Sequence, residues 1–149
     1  PHQFQEGDLS DIAAAAANLP LDQYDVDALI VVAFQRVEDA PSKFTEGQLV
    51  SIFDSFARLH MGAQQLQLVV DVLLDRFTEV PDKFSDNALT QLCRTVTHLP
   101  SALAHKLVAS TLPVAADRII RNPAQWHTLG LDATLYCLAI YKKHDQALL

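Results

Sequence analysis

Residues 41–59 read PSKFTEGQLVSIFDSFARL, from Pro41 through Phe44 to Leu59. Forty positions later the pattern returns as PDKFSDNALTQLCRTVTHL, from Pro81 through Phe84 to Leu99. The stretch carries its own start signal. Thr45 stands where a helix N-cap belongs and Gln48 follows three residues on, a capping box in which each side chain serves the other's backbone N–H. Phe44, just before the cap, and Leu49, at the fourth helical position, have the spacing of a hydrophobic staple that fixes the angle at which chain enters helix. The second copy keeps Phe84, Ser85 and Leu89 and has Ala88 where Gln48 stood. Pro41 and Pro81 each end an incoming helix, because the residue before a proline is pushed out of the α region.

Working outward, the same unit recurs. Forty residues before Phe44, the residues Phe4, Leu9, Ile12, Ala17 and Leu19 match Phe44, Leu49, Ile52, Ala57 and Leu59. The run of alanines there reads as a helix with a flattened face, since alanine is the strongest helix former. After each first helix comes a second. Val26, Leu29, Ile30, Ala33, Phe34 and Val37 form one apolar stripe at helical spacing, and Leu66, Val69, Val70, Leu73, Leu74 and Phe77 repeat it. A third second-helix runs over 101–121 with Pro113 in its middle, which predicts a kink or break near Leu112. A fourth first-helix begins at Trp126, with Leu131, Leu135, Leu138, Ala139 and Tyr141 shifted by 42 from Leu89, Cys93, Val96, Thr97 and Leu99.

The expected fold is therefore all-α: an α-solenoid of helical-hairpin repeats of about 40 residues, seven helices in one domain over 1–149. The units span about 4–40, 44–80 and 84–122, with a partial one over 126–149. A chain opening on Pro1 and stopping inside a unit reads as a fragment of a longer array. Three columns rationalise the stacking: a leucine column (Leu9, Leu49, Leu89, Leu131), a small column (Ala17, Ala57, Thr97, Ala139) and an aromatic one (Phe4, Phe44, Phe84, Trp126). A single hairpin cannot bury its apolar face alone, so neighbours must supply the partner surface.

Composition narrows the function. Half of the 149 residues are hydrophobic, the net charge is −7 and the pI is about 5.1. Such a balance argues against binding nucleic acid through bulk charge and leaves room for a local basic patch. Cys93 and Cys137 fit no metal or redox spacing and read as buried free thiols. No apolar run is long enough for a transmembrane helix, and no leader is visible. His60, His98 and His105 lie near turns without the further ligands a tetrahedral metal site needs. No nucleophile–base set or phosphate-cradling glycine loop stands out, so the expectation is no enzyme, no cofactor, no metal and no small-molecule substrate.

The 40-residue hairpin with its Phe-x4-Leu-x2-Ile/Leu/Thr-x4-Ala/Thr-x-Leu/Tyr signature resembles the octotricopeptide repeats. It also resembles the helical repeats of RAP-associated, FAST-kinase-like organellar proteins. Their first helix has the form Phe-Ser-x2-Glu-Leu-x2-Ile-x-Trp-Ala-x-Ala-x-Leu, to which Phe44 through Leu49, Phe53, Phe56, Ala57 and Leu59 come closest. The family's tryptophan inside that helix is replaced here by Ala13, Phe53, Cys93 and Leu135, and no RAP domain is present. HEAT and armadillo arrays share the general architecture. The resemblance implies mitochondrial localisation and a part in RNA metabolism, with single-stranded RNA as the ligand.

If a repeat face reads RNA, its polar groups should recur at the unit period. Ser51, Asp54 and Arg58, with Ser55 between them, become Gln91, Arg94 and His98 with Thr95 one unit on. These are the donors and acceptors that base edges demand. Lys43 and Lys83 recur at the inter-unit turn, where they would track phosphates. The plain alternative is a solvated helix face. The competing function is a protein–protein scaffold inside a ribonucleoprotein or other assembly. For that use the acidic stripe of Asp71, Asp75 and Glu79, spaced four apart on one helix, suits a basic partner. Arg118, Arg121, Lys142 and Lys143 make the remaining basic cluster.

Overall fold

The computed structural model describes residues 5–20 and 22–126, and beyond them residues 134, 135, 137 and 139. Among the described residues there are six α-helices and no strand: α1 (Glu6–Asn18), α2 (Gln23–Asp39), α3 (Glu46–Arg58), α4 (Ala63–Glu79), α5 (Asp86–Thr95) and α6 (Ser101–Arg121). The fold is all-α. The starts of α1, α3 and α5 fall forty residues apart, as the sequence repeat requires. Short 3-10 turns at Pro41–Lys43, Pro81–Lys83 and Pro123–Gln125 lead out of each second helix. Of the expected seventh helix, the four described positions 134, 135, 137 and 139 are helical. Phe4, Leu131, Leu138, Tyr141, Lys142 and Lys143 lie outside the described residues.

The chain groups into two compact units, Pro1–Leu73 and Leu74–Leu149, with the boundary inside α4. In the first, α1 lies along α3 and α2 packs on α1. Leu9, Ala13 and Ala16 of α1 and Leu49, Ile52, Phe53 and Phe56 of α3 are all buried. In the second, α5 packs on α6, with Leu89, Leu92 and Val96 buried alongside Leu103, Leu107 and Val108. Removing a leucine, isoleucine, valine or phenylalanine side chain from water stabilises the fold by roughly 1.5–3 kcal/mol.

The start signals work as their chemistry predicts. The Thr45 N–H donates to Gln48 Oε1 at 2.9 Å, and the Gln48 N–H donates to Thr45 Oγ1 at 3.3 Å. Ser85 accepts from the Ala88 N–H at 3.1 Å without the reciprocal bond, since alanine has nothing to return. Phe44 and Phe84 are buried at the entry to their helices. The Phe84 ring meets Phe77 with centroids 4.9 Å apart, tilted by 58°.

Two expectations about backbone and packing are narrowed. Of the kink or break expected near Leu112, the break does not occur: the helix over 101–121 runs on through Pro113. Pro113 and Ala109, the residue whose carbonyl loses its N–H partner, are both exposed, so water can take the partner's place. The small column also fails as a packing contact at its later members. Ala57 is buried, but Thr97 and Ala139 are exposed. Thr97 belongs to a 3-10 turn, Val96–His98, that tightens the end of α5 ahead of Pro100. This turn rotates position 97 outward, and its hydroxyl bonds back to the Arg94 carbonyl at 2.9 Å.

The end of α3 is built differently. His60 has φ 55, the only positive φ at a non-glycine among the described residues. The Met61 N–H reaches back to the Phe56 carbonyl at 3.4 Å and the His60 N–H to Ala57 at 3.3 Å. This is a Schellman closure, in which the left-handed position usually belongs to glycine. His60→Gly is expected to raise stability by about 0.5–1 kcal/mol, because the relief of the side-chain clash exceeds the entropy glycine adds to the unfolded chain. A higher urea midpoint at unchanged m would record the gain. A lower midpoint would mean that the imidazole makes contacts worth more than the strain.

Candidate functional site

The polar face of the first helices can be built residue by residue. Asp54 is nearly buried, and its carboxylate holds Arg58 at 2.9 Å one turn on. The other guanidinium arm of Arg58 donates to Asn18 Oδ1 at 3.0 Å. Asn18, forty positions earlier, turns its amide to the Ala14 carbonyl at 2.8 Å. The result is a chain of bonds that ties the end of α3 to the end of α1. Position 58 therefore links neighbouring first helices, and a guanidinium held at both arms has little left to offer a base.

The neighbouring hydroxyls are likewise committed. Ser55 and Thr95 are fully buried, and each returns its hydroxyl to the carbonyl four residues back, Ser51 and Gln91, at 2.8 Å in both cases. Ser51 and Gln91 are half-buried. The face changes character one unit on. Arg94 and His98, the equivalents of Asp54 and Arg58, are exposed, and so are Lys43 and Lys83 at their 3-10 turns. Four of the eight expected ligand residues thus stand open to solvent, and the acid–base pair at 54 and 58 is internal cross-bracing.

The acidic stripe is also uneven. Asp75 and Glu79 are exposed, whereas Asp71 is half-buried and accepts from Gln67 Nε2 at 2.8 Å. Glutamine and aspartate four apart on a helix commonly satisfy one another in this way.

A second periodic feature escapes the reading of single helices. Arg36 near the end of α2 meets Glu6 in the first turn of α1 at 3.4 Å. Arg118 near the end of α6 meets Asp86 in the first turn of α5 at 3.1 Å, and donates also to the Pro81 carbonyl at 3.0 Å and to the Phe84 carbonyl. Each pair joins the end of a second helix to the start of its own first helix. Both charges sit where the helix dipoles favour them, acid at the N-terminus and arginine at the C-terminus. The signal was in the sequence. Glu6, Glu46 and Asp86 follow the 40-residue period, and Arg36, Arg76 and Arg118 recur at 40 and then 42. Arg118 is thus a hairpin clamp, where a loose basic cluster was expected. Its neighbour Arg121 is far more exposed and pairs with Asp117 on the same helix at 3.0 Å.

An apolar groove lies on α6, about 440 Å³ in volume, with Leu112, Ala116, Ile119, Ile120 and Leu135 among its walls. Ile120 is 80% exposed, unusual for an isoleucine on an otherwise well-packed helix. Among the described residues no group of three or more His, Cys, Asp or Glu is placed to hold a metal ion, and no helix is long and apolar enough to cross a membrane. No protein-family model, curated protein or solved structure matches this chain.

Proposed function

We propose that the chain is a non-catalytic module of an α-solenoid and serves as a docking scaffold for a basic protein partner. The observation that carries this reading is the Asp54–Arg58–Asn18 linkage. The central arginine of the expected base-reading ladder is engaged at both arms by other side chains. Ser55 and Thr95, the hydroxyls at the equivalent positions of the two units, are both buried and bonded to their own helices. A net charge of −7 and exposed Asp75 and Glu79 suit a basic partner, and the apolar groove on α6 offers a separate apolar contact. The family resemblance would set such a scaffold in a mitochondrial ribonucleoprotein.

RNA binding is the second reading, and the exposure of Lys43, Lys83, Arg94 and His98 favours it. These would touch phosphates, not base edges. A titration of fluorescent single-stranded RNA distinguishes the two. The scaffold reading expects a Kd weaker than about 100 µM at ~0.15 M salt, the range of weak non-specific contact. A micromolar Kd that weakens steeply as salt rises would overturn it in favour of phosphate tracking, and replacing Lys43, Lys83 and Arg94 together should then abolish the binding.

A further inference from the structure

Cys93 of α5 and Cys137 are the two cysteines of the chain, 44 positions apart, and both are buried. The Cys137 thiol donates to the Cys93 main-chain carbonyl at 3.2 Å, which sets it against the residue that carries the other sulfur. Each is at most 1% exposed, so the thiol that meets either sulfur is the other one.

We propose that Cys93 and Cys137 are a peroxide-responsive thiol pair, forming an intramolecular disulfide that staples α5 to the helical residues around position 137.

The environments of the two sulfurs differ. The Cys137 thiol beside it holds Cys93 below the ordinary thiol range, against the opposing effect of burial, and the Thr134 hydroxyl acts in the same sense as Cys137. Cys137 is pushed up, first by that same hydrogen bond and then by burial. Either sulfur can start the reaction, and the same two steps started from Cys137 give the same disulfide. With Cys93 attacking first, its thiolate displaces one oxygen of hydrogen peroxide and becomes a sulfenic acid, releasing hydroxide, which takes up a proton as water. Cys137 sulfur then attacks the Cys93 sulfur. The S–O bond breaks, the S–S bond forms, and the departing oxygen leaves as a second water with the Cys137 proton. Two thiols lose two electrons in total and one peroxide gains them. Entry of peroxide to the buried pair requires an opening of the surrounding helices.

The staple closes a long loop, and cross-links of long loops restrict the unfolded chain most. In the test, native protein is exposed to hydrogen peroxide, quenched, denatured and treated with an alkylating reagent, then weighed intact and after proteolysis. The expected product is a monomer lighter by two hydrogens, with no alkylation, and a single linked peptide joining the two cysteines. Its Tm should rise by on the order of 10 °C and return when dithiothreitol is added. Cys93→Ala and Cys137→Ala should each lose the rise; the mass measurement on the unaltered chain stands even where a variant folds poorly. Two thiols that remain alkylatable, oxygen added to either sulfur without linkage, or a dimer joined between chains would each overturn the proposal.

Discussion

Leu89→Ala is expected to lower the unfolding free energy by about 2–5 kcal/mol, the range for a large-to-small change at a packed site. Leu89 is fully buried, as is Leu49, its counterpart one unit earlier. Position 89 is the fourth residue of α5 and comes straight after the point where Phe84 and Ser85 set the helix's entry angle. The side chain cannot be replaced by a small shift of the helix, because the cap and the buried ring fix its start. A cavity would remain, and the cost should sit in the upper half of the range. For a chain of this length each kcal/mol corresponds to roughly 2–4 °C in Tm, so the variant should melt at least several degrees lower. Leu49→Ala should behave alike. A loss of less than about 0.5 kcal/mol in either would place the column at the surface, on the scale of ordinary exposed substitutions.

That leucine column shows what one sequence can disclose. Leu9, Leu49, Leu89 and the entry signals at Thr45 and Ser85 were legible because they depend on local chemistry and a fixed period. A cap needs its partner three residues away, and a staple needs its ring next to the cap. The core positions Ile52, Phe53, Phe56, Leu92 and Val96 followed from helical spacing and are buried. At Pro113 the sequence left a kink and a break as alternatives, because the cost of an internal proline depends on which way it faces; the helix is continuous there, so the break does not occur.

The ligand face was harder for a different reason. Sequence shows that Asp54 and Arg58 are polar and one turn apart; it does not show whether they look outward or towards each other. The pair at 54 and 58 closes on itself and on Asn18, while its counterpart, Arg94 and His98, has like-signed or neutral groups that cannot close. The same period therefore encodes bracing in one unit and open side chains in the next. Period alone cannot separate the two, whereas the sign of the charge at each position can.

Arg118→Met should test the hairpin clamp, with an expected loss of about 2–3 kcal/mol. Methionine keeps much of the apolar stem, so packing changes little and the loss reports the guanidinium. That group donates to Asp86 and to two main-chain carbonyls, Pro81 and Phe84, at the point where α4 gives way to α5. The Pro81 carbonyl also accepts the Phe84 N–H at 3.2 Å and keeps that partner. The Phe84 carbonyl and the Asp86 carboxylate lose theirs. Hydrogen bonds to charged groups are worth more than neutral ones, and the side chain is only 21% exposed, so solvent screening reduces the effect without cancelling it. Lysine at 118 retains the charge but not the fork, and cannot reach all three acceptors, so Arg118→Lys should recover less than half of the loss. The control lies three residues along the same helix. Arg121→Met removes the same charge from an exposed i,i+4 pair and should cost no more than about 0.5 kcal/mol. Urea unfolding of the three variants side by side decides the matter. Equal losses at 118 and 121 would show that net charge sets the stability of this end of the chain, and the clamp would then be a contact without consequence.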